Sequence, residues 1–204
     1  MQRIKNIIFD LGGVFLTLDY QKTETAFDAL GIHAYQSLFK QNFSSPLFED
    51  LETGKITEDY FYDAFREITQ SSATNEAIKN AWNAMLLHFP KERIEWLEKI
   101  KNKYNIYLFS NTNQIHYNAF MKIFAKEHPG KNFNGFFIKA YYSQYLGLRK
   151  PTVESYEAIL NEQNLNATET LFIDDTYINI EGAQKAGLKT IWLQASSTLL
   201  DLKL

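Results

Sequence analysis

Four short segments of this 204-residue chain each end an apolar stretch with a polar cluster: Ile7-Ile8-Phe9-Asp10-Leu11-Gly12-Gly13-Val14, Tyr107-Leu108-Phe109-Ser110-Asn111-Thr112, Gly147-Leu148-Arg149-Lys150-Pro151 and Leu171-Phe172-Ile173-Asp174-Asp175. An apolar run that stops at an acid or a hydroxyl reads as a buried parallel strand, its last residue on the carboxyl edge of a sheet. Open α/β folds place their ligands along that edge. One such run constrains little. Four in this order specify a site.

The pattern between them fixes the fold class. A first strand is expected over 4–11, closed by Gly12-Gly13. Strands are expected again at 106–109, 136–142, 170–173 and 190–193, separated by helices over 92–103, 113–125, 153–160 and 179–186. Strand–helix alternation implies a mostly parallel, Rossmann-like sheet with crossover helices. From about Tyr20 to His88 the character is helical, and no second strand is evident. Thr57 is placed to cap a helix running to Ile68, with acids in its first turn. Another helix is expected over 75–87, with Ile78, Ala81, Trp82, Met85 and Leu86 at helical spacing. The expected organisation is an α/β core of residues 1–16 and 89–204, with a helical unit of residues 17–88 inserted after the first strand.

Composition narrows the function classes. Sixteen Phe and twelve Tyr supply ample material for a core, and a formal net charge of −3 gives no nucleic-acid footprint. No cysteine is present, which excludes disulfides, thiolate metal sites and a cysteine nucleophile. Asp10 interrupts the early apolar run, so no signal peptide is expected, and no apolar stretch reaches the ~20 residues of a membrane helix. A cytoplasmic protein is expected.

Each polar tip has two readings. Asp10 can attack phosphorus or bind a divalent ion, or it can be an ordinary turn aspartate. Ser110, Asn111 and Thr112 can offer donors to phosphoryl oxygens at a helix start, or simply cap that helix. Lys150 can clamp developing charge and keep Asp10 ionised, or be a solvated surface lysine before a helix-opening proline. Asp174 and Asp175 are the most specific pair. Adjacent like charges at a strand end call for a cation, and oxygen ligands suit Mg2+. The plainer reading of the segment running on to residues 179–183 is ordinary helix packing.

Taken together, the chain resembles the haloacid dehalogenase-like hydrolase superfamily, in the branch whose α-helical cap follows the first strand. The resemblance covers essentially the whole chain and is nearest to bacterial sugar-phosphate phosphatases of the α-glucose-1-phosphate type. It is carried by Phe9-Asp10-Leu11-Gly12, by Ser110-Asn111-Thr112-Asn113 with His116, by Leu146-Gly147-Leu148-Arg149-Lys150-Pro151, and by Asp174-Asp175 with Asn179-Ile180-Glu181-Gly182-Ala183. It implies that Asp10 is a nucleophile forming an aspartyl-phosphate, that Ser110 and Asn111 hold the transferring oxygens, and that Lys150 neutralises them. It further implies Mg2+ held by Asp10, the Gly12 carbonyl and Asp174, with Asp175 in support, and a small phosphorylated metabolite as substrate.

One departure stands out. Most phosphatases of the superfamily carry an acid–base aspartate two positions after the nucleophile, and here that position is Gly12. The enzyme could use a leaving group needing little protonation or borrow another acid, Asp19 being nearest in sequence, although a loop acid is the plainer reading. A non-catalytic phospho-ligand or partner-binding relative, and less readily a 2-haloacid dehalogenase, are the alternatives. His116 either faces the cleft or packs. Tyr20, His33, Phe43, Phe48, Glu49 and Trp82 are candidate substrate-facing residues of the inserted unit, with hinges expected near 16–19 and 88–90. The sequence does not specify the ester or the oligomeric state.

Overall fold

A computed structural model describes residues 3–33, 35–40, 43–194 and 197–204. Five parallel strands form the central sheet: β1 (Asn6–Phe9), β4 (Asn105–Ser110), β5 (Lys139–Tyr142), β6 (Thr170–Asp174) and β7 (Lys189–Trp192), in the order β5-β4-β1-β6-β7. The chain thus leaves β1 toward β4 on one side and reaches β6 on the other, making β1 the switch point where a crevice opens.

Both faces of the sheet are covered, which is why its strands read as continuous apolar runs. Ile7 and Phe9 point to one face with Ile106, Leu108, Leu171 and Ile173. Ile8 points to the other with Tyr107, Phe109 and Phe172. The two sets alternate residue by residue, the period-two geometry of a strand. Helices α6 (Lys91–Ile100) and α7 (Gln114–Glu127) lie in sequence on either side of β4, the short α8 (Ser143–Leu146) follows β5, and α9 (Val153–Glu162) and α10 (Tyr177–Lys185) flank β6.

Between β1 and α6 come α1 (Tyr20–Ala29), α2 (Tyr35–Leu38), a two-residue-per-strand hairpin of β2 (Phe39–Lys40) and β3 (Phe43–Ser44), α3 (Pro46–Glu52), α4 (Glu58–Thr69) and α5 (Asn75–Asn83). The hairpin corrects the expectation of no further strand in this region. These helices bury their own aromatic cluster of Phe27, Tyr35, Phe48, Phe61, Phe65 and Trp82, with Ile115 of α7 as the contribution from the sheet side. Thr57 caps α4 as expected, its Oγ1 accepting from the Tyr60 N–H at 3.2 Å.

Helix α5 ends at Asn83, four residues earlier than its apolar spacing suggests. The buried Thr23 hydroxyl donates to the Trp82 carbonyl at 3.2 Å and accepts from the Met85 N–H at 3.0 Å, which diverts the chain. The following residues then pair with the outgoing connection: Asp19 N–H donates to Met85 O, Leu87 N–H to Thr17 O and Thr17 N–H to His88 O, at 2.9–3.0 Å. The two connections to the inserted helices are therefore tied to each other.

Candidate active site

The parallel register places three of the four polar tips side by side. Asp10 follows β1, Ser110 ends β4 and Asp174 ends β6, with Phe9 opposite Leu108 and Ile173. The fourth, Lys150, arrives from the turn before α9. Its ammonium, 1% exposed, donates to Asp10 Oδ1 at 2.6 Å and to Asp174 Oδ2 at 2.7 Å. Burial alone would lower the lysine pKa, but Asp10 and Asp174 outweigh it and raise it.

Asp174 is fully buried and held on every side. Its Oδ1 accepts from the Thr176 N–H at 2.7 Å, and its Oδ2 also accepts from Asn179 Nδ2 at 3.1 Å. Asn179 is thus a site residue that sequence reasoning treated only as part of a helix opening. Asp175 takes a hydrogen bond from the Thr176 hydroxyl at 3.1 Å and rests on Gly13. Gly13 has φ +70°, and a Cβ there would lie 2.0 Å from Asp175 Oδ2, so a side chain is excluded on both counts. Gly182 serves packing in a similar way, since a Cβ would meet the Pro151 carbonyl at 2.2 Å where α10 approaches the lysine turn.

Oxygen atoms of Asp10, Asp174 and Asp175 lie within 4.8 Å of one another. Three carboxylates and one ammonium leave two negative charges uncompensated in a buried place. The strain shows in the titration. Burial pushes Asp10 up to about 7, Lys150 opposing and Asp174 and Asp175 adding to the rise. Burial followed by Asp174 pushes Asp175 up to about 6, against Thr176 and Lys150. A divalent, oxygen-preferring cation fits this donor set in charge and in ligand type.

Not every expected residue takes its expected place. The Asn111 side chain is turned to the backbone of Lys150, donating to its carbonyl and accepting from its N–H, both at 2.9 Å. Its amide therefore positions the lysine, while the residue itself lines the cleft beside Ser110. Asp19 has a structural role. It caps α1, accepting from the Gln21 N–H at 3.1 Å, and its neighbours Leu18 and Tyr20 line the cleft instead. Gly12 and Ser110 line the cleft, and Ser110 is buried.

The cleft encloses about 320 Å³, within the range of small-molecule sites. The segment between β1 and α6 contributes one face of its lining, through Tyr20, Glu49, Glu52 and Met85. Of the residues proposed for that face, Tyr20 and Glu49 line it, whereas Phe48 and Trp82 are buried in the aromatic cluster. His33 is exposed beside Asp28 at 2.9 Å, and the Phe43 side chain lies outside the described residues. Arg149 and Glu52 were missed: Arg149 lies 2.8 Å from Glu49 Oε1 and 3.0 Å from Glu52 Oε2, joining the lysine turn to α3. His116 borders the cleft but also packs, stacking on Trp82 at 4.5 Å with its Nε2 3.1 Å from the Trp82 carbonyl. Burial lowers its pKa to about 4, so the neutral ring donates to that carbonyl.

A fold with β1 at the switch point, and a carboxylate–lysine–carboxylate centre at its tip, defines a class of hydrolases. The family profile described as haloacid dehalogenase-like hydrolase matches residues 4–187, and the chain belongs to that family. A D-ribitol-5-phosphate phosphatase of Bacteroides thetaiotaomicron is 30% identical, over 97% of this chain and 99% of that protein. The sesquiterpene phosphatase astK of Aspergillus oryzae is 26% identical, over 98% and 95%. Among solved structures, an aspartate-to-alanine variant of a HAD family enzyme from Bacteroides thetaiotaomicron, in complex with magnesium and inorganic phosphate, superposes with a TM-score of 0.90 at 31% identity, covering 96% of each chain.

Proposed function

We propose that this chain is a Mg2+-dependent phosphatase acting on a small phosphate monoester, with a sugar or polyol phosphate as the favoured substrate. The observation that carries the reading is Lys150 Nζ seated between Asp10 and Asp174, at 2.6 and 2.7 Å, on the floor of a cleft of ligand size. The polyol-phosphate phosphatase of similar length, and the magnesium and phosphate bound to a related enzyme, support the choice of substrate and cation.

In this reading Asp10 attacks phosphorus and becomes transiently phosphorylated, and water then releases phosphate. Lys150 fixes the Asp10 carboxylate for attack and offsets charge on the transferring oxygens, while Ser110 and the backbone of the Asn111 turn receive those oxygens. Asp10, Asp174 and the Gly12 carbonyl, backed by Asp175, would hold Mg2+. When bound, the ion supplies charge neutralisation of the phosphoryl oxygens. Residues 1–16 and 89–204 act as the catalytic core, and residues 17–88 as a cap that selects substrate and excludes water. The hydrogen-bonded connections at 17–19 and 85–88 would serve as its pivot. The protein would meet its phosphorylated substrate in the cytoplasm.

Phosphate release from sugar phosphates, polyol phosphates and nucleotides, with Mg2+ and in chelator, tests the proposal. Release from at least one sugar or polyol phosphate, lost in chelator and in Asp10→Asn, is expected. Release no greater than that of Asp10→Asn on every ester would overturn it in favour of a non-catalytic relative.

A further inference from the structure

Cleavage of an alkyl phosphate ester expels an alkoxide, and a proton has to reach that oxygen as the bond breaks. The floor beside Asp10 offers no donor at position 12. A Cβ on Gly12 would lie 2.7 Å from Leu18 Cδ1, so that corner is filled by an apolar side chain. The donor has to come from elsewhere in the cleft.

Most of the ionisable groups there are already committed. Lys150 is bound to two carboxylates, and Arg149 is paired with Glu49 and Glu52. His116 spends its Nε2 proton on the Trp82 carbonyl. The Tyr20 phenol is raised by burial and by Asp175 and Asp10, which makes it a weaker acid than usual. Glu49 stands at the rim with its side chain 48% exposed. Glu52 is different. It lines the same cleft from α3, is 7% exposed, and contacts Arg149 at ion-pair distance.

We propose that Glu52 is the proton donor to the departing alcohol, an inference that rests on the phosphatase reading above. As Asp10 forms its bond to phosphorus, the P–O bond to the alcohol breaks and its electron pair stays on the alcohol oxygen. The Glu52 carboxyl proton moves to that oxygen, leaving a neutral alcohol and a Glu52 carboxylate beside Arg149. In the second half, the carboxylate takes a proton from the water attacking the aspartyl-phosphate. Phosphate departs, Asp10 is freed and Glu52 is protonated again.

The surroundings suit both states. The Arg149 guanidinium contacts both Glu49 and Glu52, at 2.8 and 3.0 Å. Burial raises the Glu52 pKa and Glu49 adds to the rise, with Arg149 and, more weakly, Lys150 opposing. The shift is toward the form that can give a proton, and Arg149, 3.0 Å away, stands beside the carboxylate left once the proton has gone. Tyr20 lines the same cleft as Asp10 and Glu52.

The test compares E52Q and E52D with the wild type on a sugar phosphate and on p-nitrophenyl phosphate, whose leaving group departs without a proton. For E52Q, kcat should fall roughly 10²–10³-fold on the sugar phosphate and no more than about tenfold on p-nitrophenyl phosphate. E52D should recover part of the difference, and the basic limb of the wild-type pH profile on the sugar phosphate should vanish in E52Q. A protonated-carboxyl infrared band of the resting wild type should be missing in E52Q, a readout independent of turnover. An equal loss on both substrates, or no such band, overturns the inference. If E52Q does not fold, the wild-type band and the E52D profile decide alone. A wild type inactive on every ester would instead overturn the phosphatase reading itself.

Discussion

Asn111 and Lys150 grip each other through two reciprocal hydrogen bonds, side-chain amide to backbone, both 2.9 Å long. The pair lies 39 positions apart in sequence and joins the tip of β4 to the turn before α9. The bonds fix the backbone from which the lysine reaches Asp10 and Asp174. Asn111→Ala should therefore lower kcat by about 10²-fold through misplacement of Lys150, with KM changing less. Loss of two partly buried hydrogen bonds should also cost about 1–3 kcal/mol of stability by denaturant titration. Wild-type kinetics in the variant would show that the lysine holds its place unaided.

Gly13 makes a second positional claim. With Asp175 Oδ2 only 2.0 Å from where a Cβ would sit, Gly13→Ala has to displace that carboxylate. Because groups around a metal orient its ligands, apparent Mg2+ affinity should weaken by about 10–100-fold, measured from the Mg2+ dependence of phosphate release. An unchanged Mg2+ requirement would separate Asp175 from the cation.

Lys150 is the cation shared by Asp10 and Asp174. Removing one partner from a buried ionic cluster leaves uncompensated charge, at a cost of about 3–5 kcal/mol. Lys150→Met should thus melt well below the wild type in chelator. Mg2+ should raise its melting temperature more than that of the wild type, because the ion then faces the acids without a competing ammonium. Equal Mg2+ shifts in both proteins would contradict this balance of charge.

The pH dependence of stability should carry a mark of His116. Its pKa is about 4 in the folded protein against an ordinary 6.5. Above 6.5 both states hold a neutral ring and the residue contributes no pH dependence. As pH falls from 6.5 toward 4, the unfolded chain binds a proton that the folded protein refuses. Up to about 3 kcal/mol is lost across that window, and the loss is complete below it. Denaturant titrations of wild type and His116→Gln at several pH values should show this component in the wild type only. Parallel curves would mean that the ring is not held neutral.

These residues also show which parts of the site were legible in the sequence. Asp10, Ser110 and Asp174 could be read because strands buried on both faces are continuous apolar runs, and their ends are marked by the first polar residue. The capping role of Asp19 was not separable in the sequence from a site role, because an acid before a helix is equally an N-cap. The bond of Asn111 to the Lys150 backbone was not legible, because an amide at a strand tip has no local signal for whether it faces ligand or backbone. Arg149 and Glu52 belong to segments about a hundred positions apart, and nothing near either residue encodes their meeting. The β2–β3 hairpin, with two residues in each strand, is too short for any alternation to show.

The central claim is that Asp10 is transiently phosphorylated. Single-turnover hydrolysis in 18O-labelled water, followed by proteolysis and mass spectrometry, tests it most directly. In excess enzyme, water opens the aspartyl-phosphate at phosphorus, so the label should enter phosphate, and borohydride trapping during turnover should modify Asp10 alone among the acids. Phosphate release at the normal rate with no trapped modification at Asp10, or undiminished turnover in Asp10→Asn, would contradict the account.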